Sequence, residues 1–430
     1  MARKGETVVA VDFGARAVRV LIAEQMGDGS VRYRGDGSSP SRGCVRQGQI
    51  QNQSMAQKAL RTALEEARKK AGTGLPSLFC GITAETVRSV IQEGRVPLES
   101  GVTELEHLDM ARYNAEQASL NPGTRNICPV SSQEWYVDNT RVSEPLGIRG
   151  SVLLARLHFA QIPTVVEDNL RACVESQNRM VEDFVYTPIA AALGCLTPED
   201  MQLGVAVVDL GHSGMGISVY RNLSIMGTAT LDCGAAHIIN DMSAGLKVPF
   251  DEAADILREY GVSKRSIMNL RQDADVEDTA SAAAASEGTM VKLKNPVSGA
   301  PDRVPRKLVD LIVYERCNEI AESVAKFLRQ HRLGPLLARG IVLTGGGANI
   351  HNFDLLLEAV CGINVRVGLP EGMDSMPQHF NAPENTPLVG IVRHGLDYRA
   401  AVRSGLIDQR GSVMGKKLRR VFKGIRETFF

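Results

Sequence analysis

Two aspartates, each ending a short apolar strand and each two residues before a glycine, are the side chains in this sequence best placed to do chemistry. Val8–Val11 runs into Asp12-Phe13-Gly14-Ala15, and an alternating strand returns through Val18, Val20 and Ile22. Val205–Val208 runs into Asp209-Leu210-Gly211, a His212-Ser213-Gly214 turn follows, and Ile217–Tyr220 returns. A hairpin turn of this kind points successive N–H groups at an anion, and its carboxylate can hold a hydrated Mg²⁺. The two units lie about half a chain apart, as an internal duplication would place them.

A third stretch, Gly340–Asn352, completes the set. The apolar run Ile341–Leu343 breaks at Thr344-Gly345-Gly346-Gly347, and His351-Asn352 leads into a helical run, Phe353–Ala359. Glycines at a strand-to-helix junction let backbone approach a phosphate or a flat ligand, because no Cβ intervenes. Alone, such a motif reads equally well as a tight turn. Two hairpins and a glycine loop in this order point to a phosphate-binding cleft.

The intervening chain supplies α/β scaffolding. Tyr33–Ile50 reads as turn-rich, and Met55–Ala71 as an amphipathic helix with Ala59, Leu60, Ala63, Leu64 and Ala67 on one face. Leu78–Ile82 reads as a strand. The tract Thr86–Ile162 breaks the duplication and reads as a small α/β insertion, with a helix at Glu104–Ala118, a strand pair around Glu134–Val142 and a strand at Ser151–Phe159. Helices are expected at Pro163–Gln177, Thr187–Leu196, Ala236–Leu246, Asp251–Tyr260, Leu308–Gln330 and Leu388–Tyr398, and a strand at Met290–Lys294. Asp273–Glu287 is acidic and then alanine-rich, and reads as a loop or a weak helix. Ala400–Gly411 reads as a linker.

Length and composition bound the function. The chain of 430 residues allows two to four domains with a large core, and its apolar and charged fractions are those of a soluble globular protein. Zero formal net charge argues against a broadly basic nucleic-acid binder. The eight cysteines (Cys44, Cys80, Cys128, Cys173, Cys195, Cys233, Cys317, Cys361) are scattered without a C-x-x-C pair, which suits reduced, buried thiols. The eight histidines are dispersed without ligand spacing. No signal peptide is visible, and no apolar run reaches the ~18–20 residues of a membrane span.

The composition changes sharply at the C-terminus. In Ser412–Phe430, Met414, Leu418, Val421, Phe422, Ile425 and Phe429 fall on one stripe of a helix, roughly 27 Å long at ~1.5 Å per residue. Lys416, Lys417, Arg419, Arg420, Lys423 and Arg426 lie elsewhere on the wheel, against the single acid Glu427. In a chain that is neutral overall, this pattern reads as an in-plane anchor on an anionic lipid surface. The alternatives are a helix docked on the body or a nucleic-acid arm; bulky apolar residues on one face with cations on the other fit a lipid interface better than phosphate tracking.

The hairpins and glycine loop resemble the actin/DnaK-type chaperone/sugar-kinase superfamily. That resemblance implies two duplicated lobes clamping ATP and Mg²⁺. The first hairpin looks like the first phosphate loop, the second like the second, and Thr344–Asn349 like the adenosine loop. Further residues narrow the resemblance to the FtsA family, the actin-like cell-division proteins that tether FtsZ to the bacterial membrane. These are Ser41-Arg42-Gly43 with Gly48, Pro129-Val130, Gln133–Asp138, Glu144–Ile148 with Gly150 and His158, Ile341–Gly346, and the basic-apolar tail.

The FtsA resemblance implies an actin-like two-lobed α/β fold with an inserted subdomain and a C-terminal amphipathic helix. Residues 1–85 and 163–200 would form the first lobe, 86–162 the insertion, and 201–238 with 331–398 the second lobe. Residues 239–330 would be an outer subdomain receiving the FtsZ C-terminal peptide, 399–411 a linker and 412–430 the membrane helix. Nucleotide contacts would fall to Asp12, Gly14, Ala15, Arg16, Asp209, Gly211, His212, Ser213, Gly234, Gly345, Gly346 and Gly347, with Mg²⁺ held through water by Asp12 and Asp209. Arg303, Arg306, Lys307 and Arg316 are the candidate partners for the acidic peptide. The resemblance also implies filaments, contacts with later division proteins through the insertion, and a place on the cytoplasmic face of the membrane at the division site.

Departures from the family pattern bear on chemistry. Ala15 stands where the family often has Thr or Ser, and the second loop lacks the usual Thr and final Asp. ATP is therefore expected as a structural ligand with weak or no hydrolysis. A sugar kinase of the superfamily would need a catalytic carboxylate facing a polyol pocket, and a PilM-type pilus scaffold would lack the lipid helix.

Overall fold

The computed structural model describes residues 5–119, 121–127, 133–272, 290–295 and 301–404. Pro129-Val130, the alanine-rich tract within 273–287, the final residues of the expected linker and the whole basic-apolar tail with its twelve named residues lie outside the described residues.

Two five-stranded sheets repeat one topology. In the first, the antiparallel meander Glu6–Phe13, Ala17–Gln25 and Val31–Pro40 is extended by the parallel strands Leu78–Ile82 and Val181–Tyr186. In the second, the meander Val205–Leu210, Met215–Arg221 and Ser224–Leu231 is extended by the parallel strands Ile341–Thr344 and Val365–Val367. The duplication legible in the two Asp-x-Gly hairpins thus extends to whole sheets. The central strands are continuous Val/Ile/Leu/Ala runs because helices cover both faces.

Helix Gln53–Ala71 packs its alanine stripe on the first sheet, capped by the Asn52 side chain at its N-terminus and by Gly72 in the left-handed region at its end. The alanines let it come close: a Cβ on Gly37 would overlap the Ala63 carbonyl. That contact explains a misreading. The glycines and serines of 33–40 look like turn residues, but Val31–Pro40 is a strand whose glycines admit the helix.

The insertion holds five strands and one helix, more than the sequence suggested. Its sheet runs Thr140–Val142, Gln133–Val137, Val152–Pro163, Arg88–Pro97, with Thr124–Ile127 also on the long Val152–Pro163 strand. Helix Leu105–Ser119 covers it, and Trp135, Leu153, Leu157 and Phe159 form its separate core.

Two expected boundaries move. The last helix spans Thr386–Arg403, so 399–403 is helix rather than linker. It also leaves the second lobe: Leu388, Val389, Ile391, Val392 and Leu396 join the first-lobe core, together with helix Thr187–Cys195. Assigning 331–398 wholly to the second lobe is therefore wrong for its final helix. Chain order misleads here because the helix crosses back to cover the first sheet. The second lobe's outer part comprises helices Ala235–Leu246, Phe250–Tyr260, Lys264–Gln272 and Arg306–Gln330 and a two-stranded ribbon, Met290–Lys292 with Arg303–Pro305.

Candidate functional site

The two hairpins face each other across a cleft between the sheets, with a cavity volume of about 460 Å³, within the size range of small-molecule sites. Asp12 and Asp209 sit at its floor. Asp12 pairs in register with Arg19 on the returning strand, and Asp209 lies between Gly216 and Thr344 on its two neighbouring strands. Burial raises the Asp12 carboxyl above its ordinary pKa, opposed by the Arg19 guanidinium. Burial and then the nearby Asp12 charge push Asp209 up to about 7, again opposed by Arg19.

Each loop has a mechanical reason for its shape. The second turn closes on a Gly211 N–H to Gly214 carbonyl bond of 2.9 Å. Its outward carbonyls, Gly211 and His212, accept from the N–H groups of Ala235 and Ala236, at 3.0 and 2.8 Å. Those first donors of helix Ala235–Leu246 are thereby spent on the loop. In the glycine loop, Gly345 has φ +80°, and a Cβ there would overlap the Asp209 carboxylate, while one on Gly347 would overlap Leu210. A Cβ on Gly346 would meet nothing within 4 Å. Two of the three glycines are therefore demanded by packing on the second hairpin, and only Gly346 leaves backbone open to a ligand.

Eleven of the twelve sequence-predicted nucleotide residues line this cavity. Gly234 is the exception: it is buried under the second loop, against the His212 carbonyl and Gly214 N–H, and does not line the cleft. It supports the loop from behind. His212 lies edge-on to Phe250, with ring centroids 6.2 Å apart, and its pKa is lowered by burial, by Arg16 and by His237.

Sequence reasoning missed the residues that join the lobes. Gln47, in the left-handed region at φ +48°, donates its N–H to the Ser213 hydroxyl, and its side-chain amide bonds Asp232. Thr83 and the Tyr186 hydroxyl both meet Thr230, at 3.2 and 2.6 Å. Asn349, His379, Glu384 and Asn385 line the cleft beside the glycine loop. Only proximity in the fold relates them, so no local sequence signal could have found them.

The acidic pair fits a divalent cation of the Mg²⁺ type. Two buried carboxyls share one floor, no third acid, histidine or cysteine joins them among the described residues, and Mg²⁺ is held through one or two carboxylates plus substrate phosphates. Bound there, the ion would neutralise phosphate charge.

The four candidate peptide-binding cations divide into two pairs. Arg303 and Lys307 are exposed. Arg306 bonds Asp310 at 2.7 Å and lies 4.0 Å over the Tyr260 ring, and Arg316 bridges Asp241 and Glu319 at 2.6 and 2.7 Å. These two are committed within the lobe.

Comparison with known proteins bears on this geometry. The family model described as cell division protein FtsA matches residues 206–390. Cell division protein FtsA of Pseudomonas aeruginosa is 27% identical over 396 residues, covering 92% of this chain and 90% of that one. That of Escherichia coli K12 is 23% identical over 431 residues, covering 98% of each. The chain is similar to FtsA proteins over nearly its whole length. Solved structures agree on the fold alone. The PilM–PilN type IV pilus biogenesis complex aligns with a TM-score of 0.58 at 14% identity, covering 90% of this chain and 98% of that one. MreB5 of Spiroplasma citri bound to ADP aligns at 0.53 and 13%, covering 93% and 98%. The fold is thus actin-like, and the sequences that match nearly end to end are described as cell division protein FtsA.

Proposed function

We propose that this FtsA-like protein binds ATP between its lobes and holds FtsZ filaments to the cytoplasmic face of the membrane at the division site through residues 412–430. The supporting observation is a conjunction. A two-hairpin phosphate cleft is carried by a body whose last helix ends at Arg403, and a 19-residue basic-apolar stretch follows at 412–430. ATP acts as a structural ligand: phosphates lie against Gly14–Arg16 and Gly211–Ser213, Mg²⁺ is held through water by Asp12 and Asp209, and the base rests on Gly346. Closure of the lobes favours a filament-competent shape. The inserted subdomain serves self-association and contacts with later division proteins.

The FtsZ C-terminal peptide docks on the outer second lobe, where exposed Arg303 and Lys307 adjoin exposed Leu308 and Leu311. Two cations and two apolar side chains suit an acidic peptide with apolar anchors. Arg306 and Arg316 shape this face through their internal pairs.

Co-sedimentation with anionic liposomes tests the reading, comparing the full chain with one ending at Gly411, with ATP and without nucleotide. Tail-dependent pelleting that strengthens with protein concentration supports a membrane-tethered polymer. If both chains stay in the supernatant, the tether is refuted.

A further inference from the structure

The end of the first lobe from which the tail departs has an unusual surface. Strands Glu6–Phe13, Leu78–Ile82 and Val181–Tyr186 are adjacent and parallel, so their N-terminal ends share one edge of the sheet. The last helix finishes at that edge. Arg399 donates to Glu182 at 2.9 Å and to the Thr7 carbonyl at 2.8 Å, with its guanidinium 5.2 Å from the Phe79 ring centre, and Arg403 pairs with Glu6. The root of the tail is thereby clamped to the first lobe.

Met180 immediately precedes strand Val181–Tyr186 at this edge, and its carbonyl accepts from Leu78 N–H at 2.8 Å. It is 73% exposed, more than any other large apolar side chain among the described residues. A long apolar side chain so placed covers nothing in the monomer. Arg179 is beside it in sequence, and exposed Arg68 and Lys69 lie on the last turn of helix Gln53–Ala71, towards the opposite edge of the same sheet. That helix runs antiparallel to Val31–Pro40, the opposite edge strand, with Ala63 against Gly37 and Ala71 against Gly35, so its C-terminus lies at the same end of the sheet. Arg68, Lys69 and Arg179 make no ion pair with described residues, whereas Glu6 and Glu182 are already neutralised by Arg399 and Arg403. Of the other acids at this end, Glu24 pairs with Arg34, and Asp28, in the turn before Val31–Pro40, accepts from Ser30.

We propose that this end of the first lobe is a second membrane contact. Met180 inserts at an anionic lipid surface, and Arg68, Lys69 and Arg179 meet the headgroups. The occupant follows from where the chain goes. Seven residues, 405–411, separate the described body from the basic-apolar stretch, a leash of at most about 25 Å when fully extended. A tail lying in the interface therefore keeps this end of the body within reach of the bilayer at high effective concentration. The three cations and one apolar plug then add to the tail's own binding.

The inference rests on the tail being a membrane anchor, and the test separates the two. The chain's one tryptophan, Trp135, is buried in the inserted subdomain and serves as an internal control. The full chain and its Met180→Trp variant are bound to phosphatidylglycerol-containing vesicles whose acyl chains carry bromine quenchers. The inference expects Met180→Trp to add emission that the vesicles quench, while the unmodified chain is little affected. It also expects the Arg68→Glu, Lys69→Glu, Arg179→Glu triple variant to lose roughly ten-fold in vesicle affinity at low salt, less at high salt. If the Met180→Trp variant pellets with its added emission unquenched and the triple variant keeps its affinity, this contact is overturned and the tail anchor stands. Added emission that shifts with protein concentration in the absence of vesicles makes the surface a contact between copies and overturns the lipid assignment. Failure of even the unmodified chain to bind overturns both.

Discussion

The backbone N–H of Gln47 meets the hydroxyl of Ser213 at 2.8 Å, joining the first lobe to the second hairpin turn across 166 residues of sequence. The donor residue is held at positive φ, and its side chain reaches on to Asp232, so the short hairpin around it acts as a latch on the closed cleft. Ser213→Ala leaves the Gln47 N–H without its acceptor, a cost of about 1–3 kcal/mol while the lobes stay closed. The expected result is a several-fold weaker affinity for a fluorescent ATP analogue, read by titration. Unchanged affinity would refute the latch.

The glycine loop makes two opposite demands. Gly345→Ala places a methyl against Asp209 at positive φ and should destabilise the apo-protein by about 1–3 kcal/mol in urea unfolding. Gly346→Ala meets open space and should leave the unfolding midpoint unchanged while weakening nucleotide binding. Equal unfolding midpoints for the two variants would contradict the assignment.

These glycines show how far the sequence could be read. Both hairpins and the glycine loop were legible because apolar runs and Asp-x-Gly turns are local signals. The strand Val31–Pro40 was not, since Gly35 and Gly37 serve a helix that the strand itself does not reveal. Gly234 was misassigned to the ligand because a buttress and a contact look alike in sequence. The crossing of helix Thr386–Arg403 into the first lobe, like the Gln47–Ser213 contact, depends on long-range packing that periodicity does not encode.

His158 links the insertion to the second lobe. Its Nε2 lies 2.9 Å from the Ser89 hydroxyl and 3.1 Å from that of Thr228, and burial lowers its pKa from 6.5 to about 4. The folded state thus disfavours the charged ring. Its contribution to stability is present above the unfolded pKa and is lost as pH falls from about 6.5 towards 4. Urea midpoints measured at pH 7, 5.5 and 4.5 should fall less steeply for His158→Gln than for the parent. An identical slope would place the acid sensitivity elsewhere.

On the last helix, burial separates two arginines with a shared neighbour. Arg399 is 16% exposed and serves Glu182, Glu6 and the Thr7 carbonyl, so Arg399→Ala should cost about 2–4 kcal/mol by leaving Glu182 unpaired. Arg403 is 56% exposed, and Arg403→Ala should cost less than about 1 kcal/mol. Denaturant unfolding compares them directly, and equal losses would show that the clamp is not centred on Arg399.

On the outer second lobe, Arg303→Glu with Lys307→Glu should lower affinity for an acidic FtsZ tail peptide without shifting the melting temperature. Arg316→Glu should instead lower the melting temperature, because it sets a third acid beside Asp241 and Glu319. Fluorescence anisotropy of a labelled peptide and thermal unfolding distinguish the two. Peptide binding indifferent to the first pair would exclude this face.

Helix Thr386–Arg403 begins where Leu388 lines the cleft and ends at the root of the tail, packed throughout on the first sheet. Whatever grips residues 405–430 therefore grips the first lobe, as a stator is bolted to its housing. Opening or closing the cleft then swings the second lobe, and any cargo on its outer face, against that fixed frame.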